Sequence, residues 1–204
     1  MKRVGENRTF EEQIQYHLDD GRAPWFIETQ RGRTELARFL LDKCIREFDK
    51  AQRLTIVELG CGAADITGPK SQTHKVIGFD LTDEARRSVG HRWPGMTFHQ
   101  QPVEEVEPFE CDILVMTEFL EHVDNPVSIV QGWLPKAKWS IIGHPLNEPD
   151  PPIEPGHLWS YTRDDWRRWF ALGGHRWWEE FRFPMGGWDE MIIGHGQRVL
   201  SPLG

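Results

Sequence analysis

Short apolar runs, separated by glycine turns and by stretches with helical spacing, outline this chain. Leu54, Ile56 and Val57 form an uncharged run of the buried-strand type, which ends in Glu58-Leu59-Gly60-Cys61-Gly62. The two glycines let the backbone turn sharply with no Cβ in the way. Val76-Ile77-Gly78-Phe79 is a second run and ends in an acid, Asp80. Residues 96–99, 111–116 and 139–143 predict three further strands, and 177–183 with 190–193 predict a closing pair. A hairpin through Pro184-Met185-Gly186-Gly187 would join that pair.

The remaining patterns are helical. A short helix is predicted over 9–18, with Thr9 as its cap, and a longer one over 34–48. In the longer one Leu36, Phe39, Leu40, Ile45 and Phe48 recur near a period of 3.6. Thr82 caps a helix through Arg87, residues 127–134 form another, and Thr162 caps one running to about Leu172. Gly68-Pro69 shortens or interrupts the helix expected after the first strand. Residues 144–155 are too rich in proline for regular structure and predict a loop beyond a strand end, where substrate loops belong. Trp25 and Phe26, after Pro24, form an aromatic pair that packs on the next helix or lies over a pocket.

Composition narrows the class. A chain of 204 residues is long enough for one domain, read as a helical cap segment over 1–50 ahead of a core over 51–204. A net charge of −8 argues against broad phosphate-backbone binding and leaves only a local basic patch at Arg163, Arg167 and Arg168. No apolar run approaches the roughly 20 residues of a membrane span, and the first residues lack the apolar core of a signal peptide. Cys44, Cys61 and Cys111 are too few and too scattered for a disulfide framework, so a reducing cytoplasm is expected. Most of the tryptophans fall from Trp133 onward and read as core filling.

Strand, glycine turn, connection, strand and terminal acid is the layout of a nucleoside pocket at the carboxyl edge of a parallel sheet, the acid accepting from ribose hydroxyls. A dinucleotide fingerprint started at Gly60 would put Asp65 at its third small position, crowding the helix contact and facing a pyrophosphate with like charge. The phase Glu58-x-Gly60-x-Gly62 instead resembles the first motif of class I S-adenosylmethionine-dependent methyltransferases, with Ala64 where a third glycine is usual. The block from Cys111 to Pro126, C-D-I-L-V-x-x-E-x-L-E-H-V-x-x-P, resembles the fourth-strand motif of the same class. The likeness covers roughly residues 54–181. It implies an α/β, Rossmann-like fold: a mostly parallel seven-stranded sheet with an antiparallel last strand, flanked by helices. It also implies a set binding S-adenosylmethionine, namely Glu58, Gly60, Cys61, Gly62, Asp80, Leu81, Gln101, Pro102, Val103 and Thr117.

Glu118, Glu121 and His122 stand at i, i+3 and i+4, so on a helix they would share one face. With His157, in Gly156-His157-Leu158-Trp159-Ser160-Tyr161-Thr162-Arg163, the pattern resembles two branches of the class. One comprises the ubiquinone-pathway O-methyltransferases, the other the small-RNA terminal 2′-hydroxyl methyltransferases. That resemblance implies Glu118, Glu121, His122 and His157 as ligands of Mg²⁺, Mn²⁺ or Zn²⁺, an ion that readies a substrate hydroxyl. The metal-free alternative makes His122 a general base with Glu118 supporting a loop, and His144 is a further candidate base or ligand. His17, His74, His91, His99, His175 and His195 read as surface or structural.

Three functions remain in view: O-methylation of a hydroxylated small molecule, methylation of an RNA 3′ end, which the net charge disfavours, and an inactive cofactor-binding partner protein. The last is motivated by Ala64 and the shortened first helix.

Overall fold

The computed structural model describes residues 1–5, 24–152, 156–185 and 188–199. Seven strands form the main sheet: β2 (Thr55–Leu59), β3 (Lys75–Asp80), β4 (Thr97–Gln100), β5 (Cys111–Thr117), β6 (Ala137–Leu146), β8 (His175–Met185) and β9 (Trp188–Arg198). Their order is β4-β3-β2-β5-β6-β9-β8. The pairs among β2 to β6 are parallel, and β9 runs antiparallel to both β6 and β8. A separate two-stranded ribbon pairs β1 (Lys2–Arg3) with β7 (Trp159–Ser160).

Alternation along the strands divides the apolar side chains between two faces. Ile56, Ile113, Val115 and Ile141 face Ala37, Leu40, Leu41 and Cys44 of helix α1 (Pro24–Ile45) and Val89 of α2 (Asp83–Arg92). Val57, Leu59, Leu114, Met116 and Ile142 face α3 (Pro126–Trp133) and α4 (Arg163–Leu172), where Trp133, Trp166, Trp169 and Phe170 fill the layer. The result is a three-layer sandwich with helices on both faces of a mostly parallel sheet, the architecture that β–α alternation favours. Helix starts follow the capping chemistry. Thr82 Oγ1 accepts from Ala85 N–H, Asn125 Oδ1 from Ser128 N–H, and Thr162 with Asp165 forms a reciprocal capping box.

Several elements differ from the sequence expectation. Helix α1 starts at Pro24, where proline is tolerated in a first turn, and not at Thr34; Phe39 lies half exposed on it, off the apolar face. Strand β6 continues through His144 and Pro145 to Leu146, so the proline-rich loop starts only at Asn147. Pro145 is tolerated because the parallel ladder to β5 has ended at Gly143. The connection from β2 to β3 holds a five-residue 3₁₀ turn (Gly68–Gln72) in place of a longer helix, with Pro69 in its first turn. Pro184 and Met185 belong to β8, so of the expected hairpin turn only residues 186–187 are left, outside the described residues. The short helix expected over 9–18 and the side chains of Trp25 and Phe26 lie outside them as well. Among the described residues no helix is long and apolar enough to cross a membrane, and the three cysteines are buried and free.

Candidate active site at the carboxyl edge of the sheet

The strand order reverses between β2 and β5, and their carboxyl ends open the crevice in which such sheets take ligands. The turn after β2 has Gly60 at φ +67° and Gly62 at φ +49°, left-handed values that L side chains rarely adopt. A Cβ on Gly60 would stand 2.7 Å from the Phe119 ring, so that position is closed to other residues twice over. Ala64 also has a left-handed backbone, at φ +53°. Its departure from glycine is therefore a matter of conformation as well as size.

Asp80 is tied to this turn. Its Oδ2 accepts from Gly62 N–H at 2.8 Å, and its Oδ1 accepts from Thr82 N–H and Oγ1 at 3.0 and 2.9 Å. Cys61 N–H donates to Phe79 O, and Gln101 N–H donates to Asp80 O at 3.1 Å. Glu58, Gly60, Gly62, Asp80 and the segment Gln101-Pro102-Val103 thus share one edge. Leu81 is half-buried and its carbonyl accepts from Gln100 Nε2; Thr117 is buried at the end of β5. The Cys61 side chain turns away into the core, leaving its backbone at the turn.

Glu58 is nearly enclosed, and Thr67 Oγ1 donates to it at 2.5 Å. Burial pushes its carboxyl up to about 7, against the opposing pull of Thr67 and of the Arg33 guanidinium. Arg33, on α1, also lies 3.5 Å from Glu118 Oε2, both side chains being mostly buried. Sequence reasoning missed Arg33. Nothing in a helical run of arginines and glutamates distinguishes it from Arg31 or Arg38, which pair with Glu35 and Asp65.

Residues 118–125 are a series of turns, not a helix. Glu118 takes φ +51° directly after β5, where its N–H donates to Gly143 O. That left-handed step sends Glu118 toward Arg33 and separates it from the next carboxylate, so the shared helical face does not form. Glu121, His122 and His157 nevertheless converge: one ligand atom from each lies within 4.8 Å of the others. Leu158 N–H donates to Glu121 O at 2.7 Å, drawing the two loops together. His122 Nδ1 donates to Gly156 O at 3.0 Å, which leaves Nε2 of the neutral ring as an acceptor. Of the four ligands the resemblance implied, the structure groups three and leaves Glu118 out.

His144 lies fully buried on β6, its Nδ1 donating to Pro145 O and its ring against Tyr161. Burial depresses it to about 4, so it stays neutral. Glu148, in the proline-rich loop, stands 3.3 Å from His157 Nδ1. In the sequence it is one of three carboxylates among prolines, with Asp150 and Glu154, and nothing there singles it out. His175 and His195 are buried structural groups; His175 bonds Ser140 and the carbonyls of Leu134 and Ala137.

Comparisons with known proteins agree with this geometry. The family model described as a methyltransferase domain matches residues 57–134. No curated protein matches the chain. Magnesium protoporphyrin IX methyltransferase from Synechocystis PCC 6803, solved with S-adenosylmethionine bound, superposes with a TM-score of 0.67. It is 15% identical, over 95% of this chain and 93% of its own. A putative methyltransferase from Bacillus halodurans gives 0.62 at 14% identity, over 78% and 99%. The carbon methyltransferase CurJ gives 0.63 at 10% identity, over 82% and 54%. The strand order, the antiparallel β9 and the superpositions show that this chain adopts the Rossmann-like fold of methyltransferases, and the methyltransferase-domain match over residues 57–134 spans its glycine turn.

Proposed function

We propose that the chain is an S-adenosylmethionine-dependent O-methyltransferase acting on a hydroxylated small molecule, with a divalent cation held by Glu121, His122 and His157. The observation that carries this reading is the convergence of one carboxylate and two imidazoles beside the end of β5, next to a glycine turn tied to Asp80. The fold does not choose the acceptor atom, since one fold hosts many chemistries and a carbon methyltransferase shares this one. Support for oxygen comes from the acceptor-side residues.

The turn end suits a nucleoside with a zwitterionic tail. Asp80 offers its remaining lone pairs to ribose hydroxyls, and Gln101 stands beside it for the base edge. Glu58 and Glu118 accept from the tail ammonium, while Arg33 between them presents a fork to its carboxylate. The acceptor end suits a hydroxyl. Two nitrogen donors and one oxygen donor fit Zn²⁺ or Mn²⁺ better than Mg²⁺, which prefers oxygen throughout. The chemistry such an ion supplies is stabilisation of the deprotonated hydroxyl. Half-buried His122 faces that position from the turn after β5, and positioning of the oxygen in line with the sulfonium supplies much of the rate.

The arginines that favoured an RNA acceptor are engaged elsewhere. Arg163 and Arg167 pair with Glu180, and Arg168 lies 3.6 Å from Asp165. Glu118 and His122, both partly accessible, count against an inert scaffold. Isothermal titration with S-adenosylhomocysteine tests the cofactor half; a single saturable site is expected, weakened about tenfold by Arg33→Met, and no binding would remove the reading. Methyl transfer to catechol, abolished by chelation and restored by Mn²⁺ or Zn²⁺, tests the acceptor half.

A further inference from the structure

The turn after β6 brings a second carboxylate to the histidines. Asn147, at φ +55°, takes a left-handed step that asparagine tolerates better than most residues, and its N–H donates to Tyr161 O at 2.8 Å. The chain therefore reverses as β6 ends, and Glu148 turns inward while its neighbours Asn147, Pro149 and Asp150 stay exposed. A carboxylate taken this far from water is costly without compensation. Glu148 Oε2 stands 3.3 Å from His157 Nδ1, each side chain about 1% exposed, close enough for its charge to act although the pair is not aligned as a hydrogen bond.

We propose that Glu148 is a positioning residue: the negative charge of its carboxylate favours the proton of His157 on Nδ1 and leaves Nε2 as the nitrogen that serves Glu121 and His122. This rests on the metal-assisted reading above and adds to it a residue that touches no substrate. The two histidines are then oriented by different means. His122 is held through its Nδ1 by a hydrogen bond to a backbone carbonyl, that of Gly156, and His157 is biased by the charge of a nearby carboxylate. A carboxylate behind an imidazole fixes the tautomer and raises the basicity of the far nitrogen, which a carbonyl does more weakly.

The test uses full-length protein freed of metal by chelation. Long-range ¹H–¹⁵N correlation spectra report the His157 tautomer, and isothermal titration with Zn²⁺ reports affinity. In wild type, the Nδ1–H tautomer and one Zn²⁺ site are expected. Glu148→Leu should mix the tautomers and weaken Zn²⁺ by about 100-fold, with S-adenosylhomocysteine affinity unchanged. Glu148→Gln, whose amide oxygen keeps part of the negative charge near Nδ1, should keep the tautomer and lose about tenfold. Either variant keeping both the wild-type tautomer and the wild-type Zn²⁺ affinity overturns the proposal and leaves the metal reading standing. If wild type binds no Zn²⁺ but Glu148→Leu still shifts the tautomer, the metal reading fails and the positioning role survives.

Discussion

The two ends of the site are built by different means. At the turn end, Gly62, Asp80 and Thr82 are joined by hydrogen bonds where adjacent parallel strands end. Strand spacing sets their separation, so short motifs at strand ends suffice to specify it. At the histidine end, Glu121 and His122 come from the loop after β5 and Glu148 and His157 from the loop after β6, and they meet only because those two loops pack together. Tyr161 Oη donating to Leu120 O, Trp159 Nε1 donating to Val123 O, and Leu158 N–H donating to Glu121 O are the bonds that hold them. A site can thus be half local and half long-range in origin, and its two halves should fail differently.

Gly60→Ala should break the turn end most severely. The left-handed backbone costs about 1–2 kcal/mol and the overlap with Phe119 about 1–3 more, read as lost stability in urea unfolding. Glu58→Gln sharpens the same end through pH. The Glu58 carboxyl is raised from its ordinary value to about 7, so the folded state binds its proton more tightly than the unfolded chain. Wild-type stability conferred by that proton is complete below pH 4.5 and is lost as pH rises to about 7. The advantage of the glutamine variant should grow over this window to at most about 3 kcal/mol, followed by thermal unfolding at each pH.

Tyr161→Phe tests the histidine end. It leaves the Leu120 carbonyl without the hydroxyl that donates to it at 2.7 Å, a loss of about 1–3 kcal/mol. Methyl transfer should fall with it while S-adenosylhomocysteine affinity at the turn end holds, and equal loss of both would refute the division. Ala64→Gly should do least. Relief of the left-handed backbone, about 1–2 kcal/mol, is offset by loss of a buried methyl, about 0.8, and by the unfolded-state entropy of glycine. Unfolding midpoints should agree within the equivalent of about 1 kcal/mol.

Short uncharged apolar runs marked the seven strands and the placement of the glycine turn at a carboxyl edge, because a strand buried on both faces reads as a near-continuous apolar run. The resemblance added His157, while spacing alone linked Glu121 and His122. The helical face that was to unite them with Glu118 did not form, because one left-handed residue after β5 redirects the chain. Whether a non-glycine residue adopts that conformation depends on what surrounds it, here the Gly143 carbonyl and Arg33, and no local pattern encodes it. Arg33 and Glu148 were hidden for the same reason. A charged residue in a helix or a proline-rich loop looks solvated until tertiary packing encloses it, and only the folded chain decides which carboxylate meets which cation or imidazole.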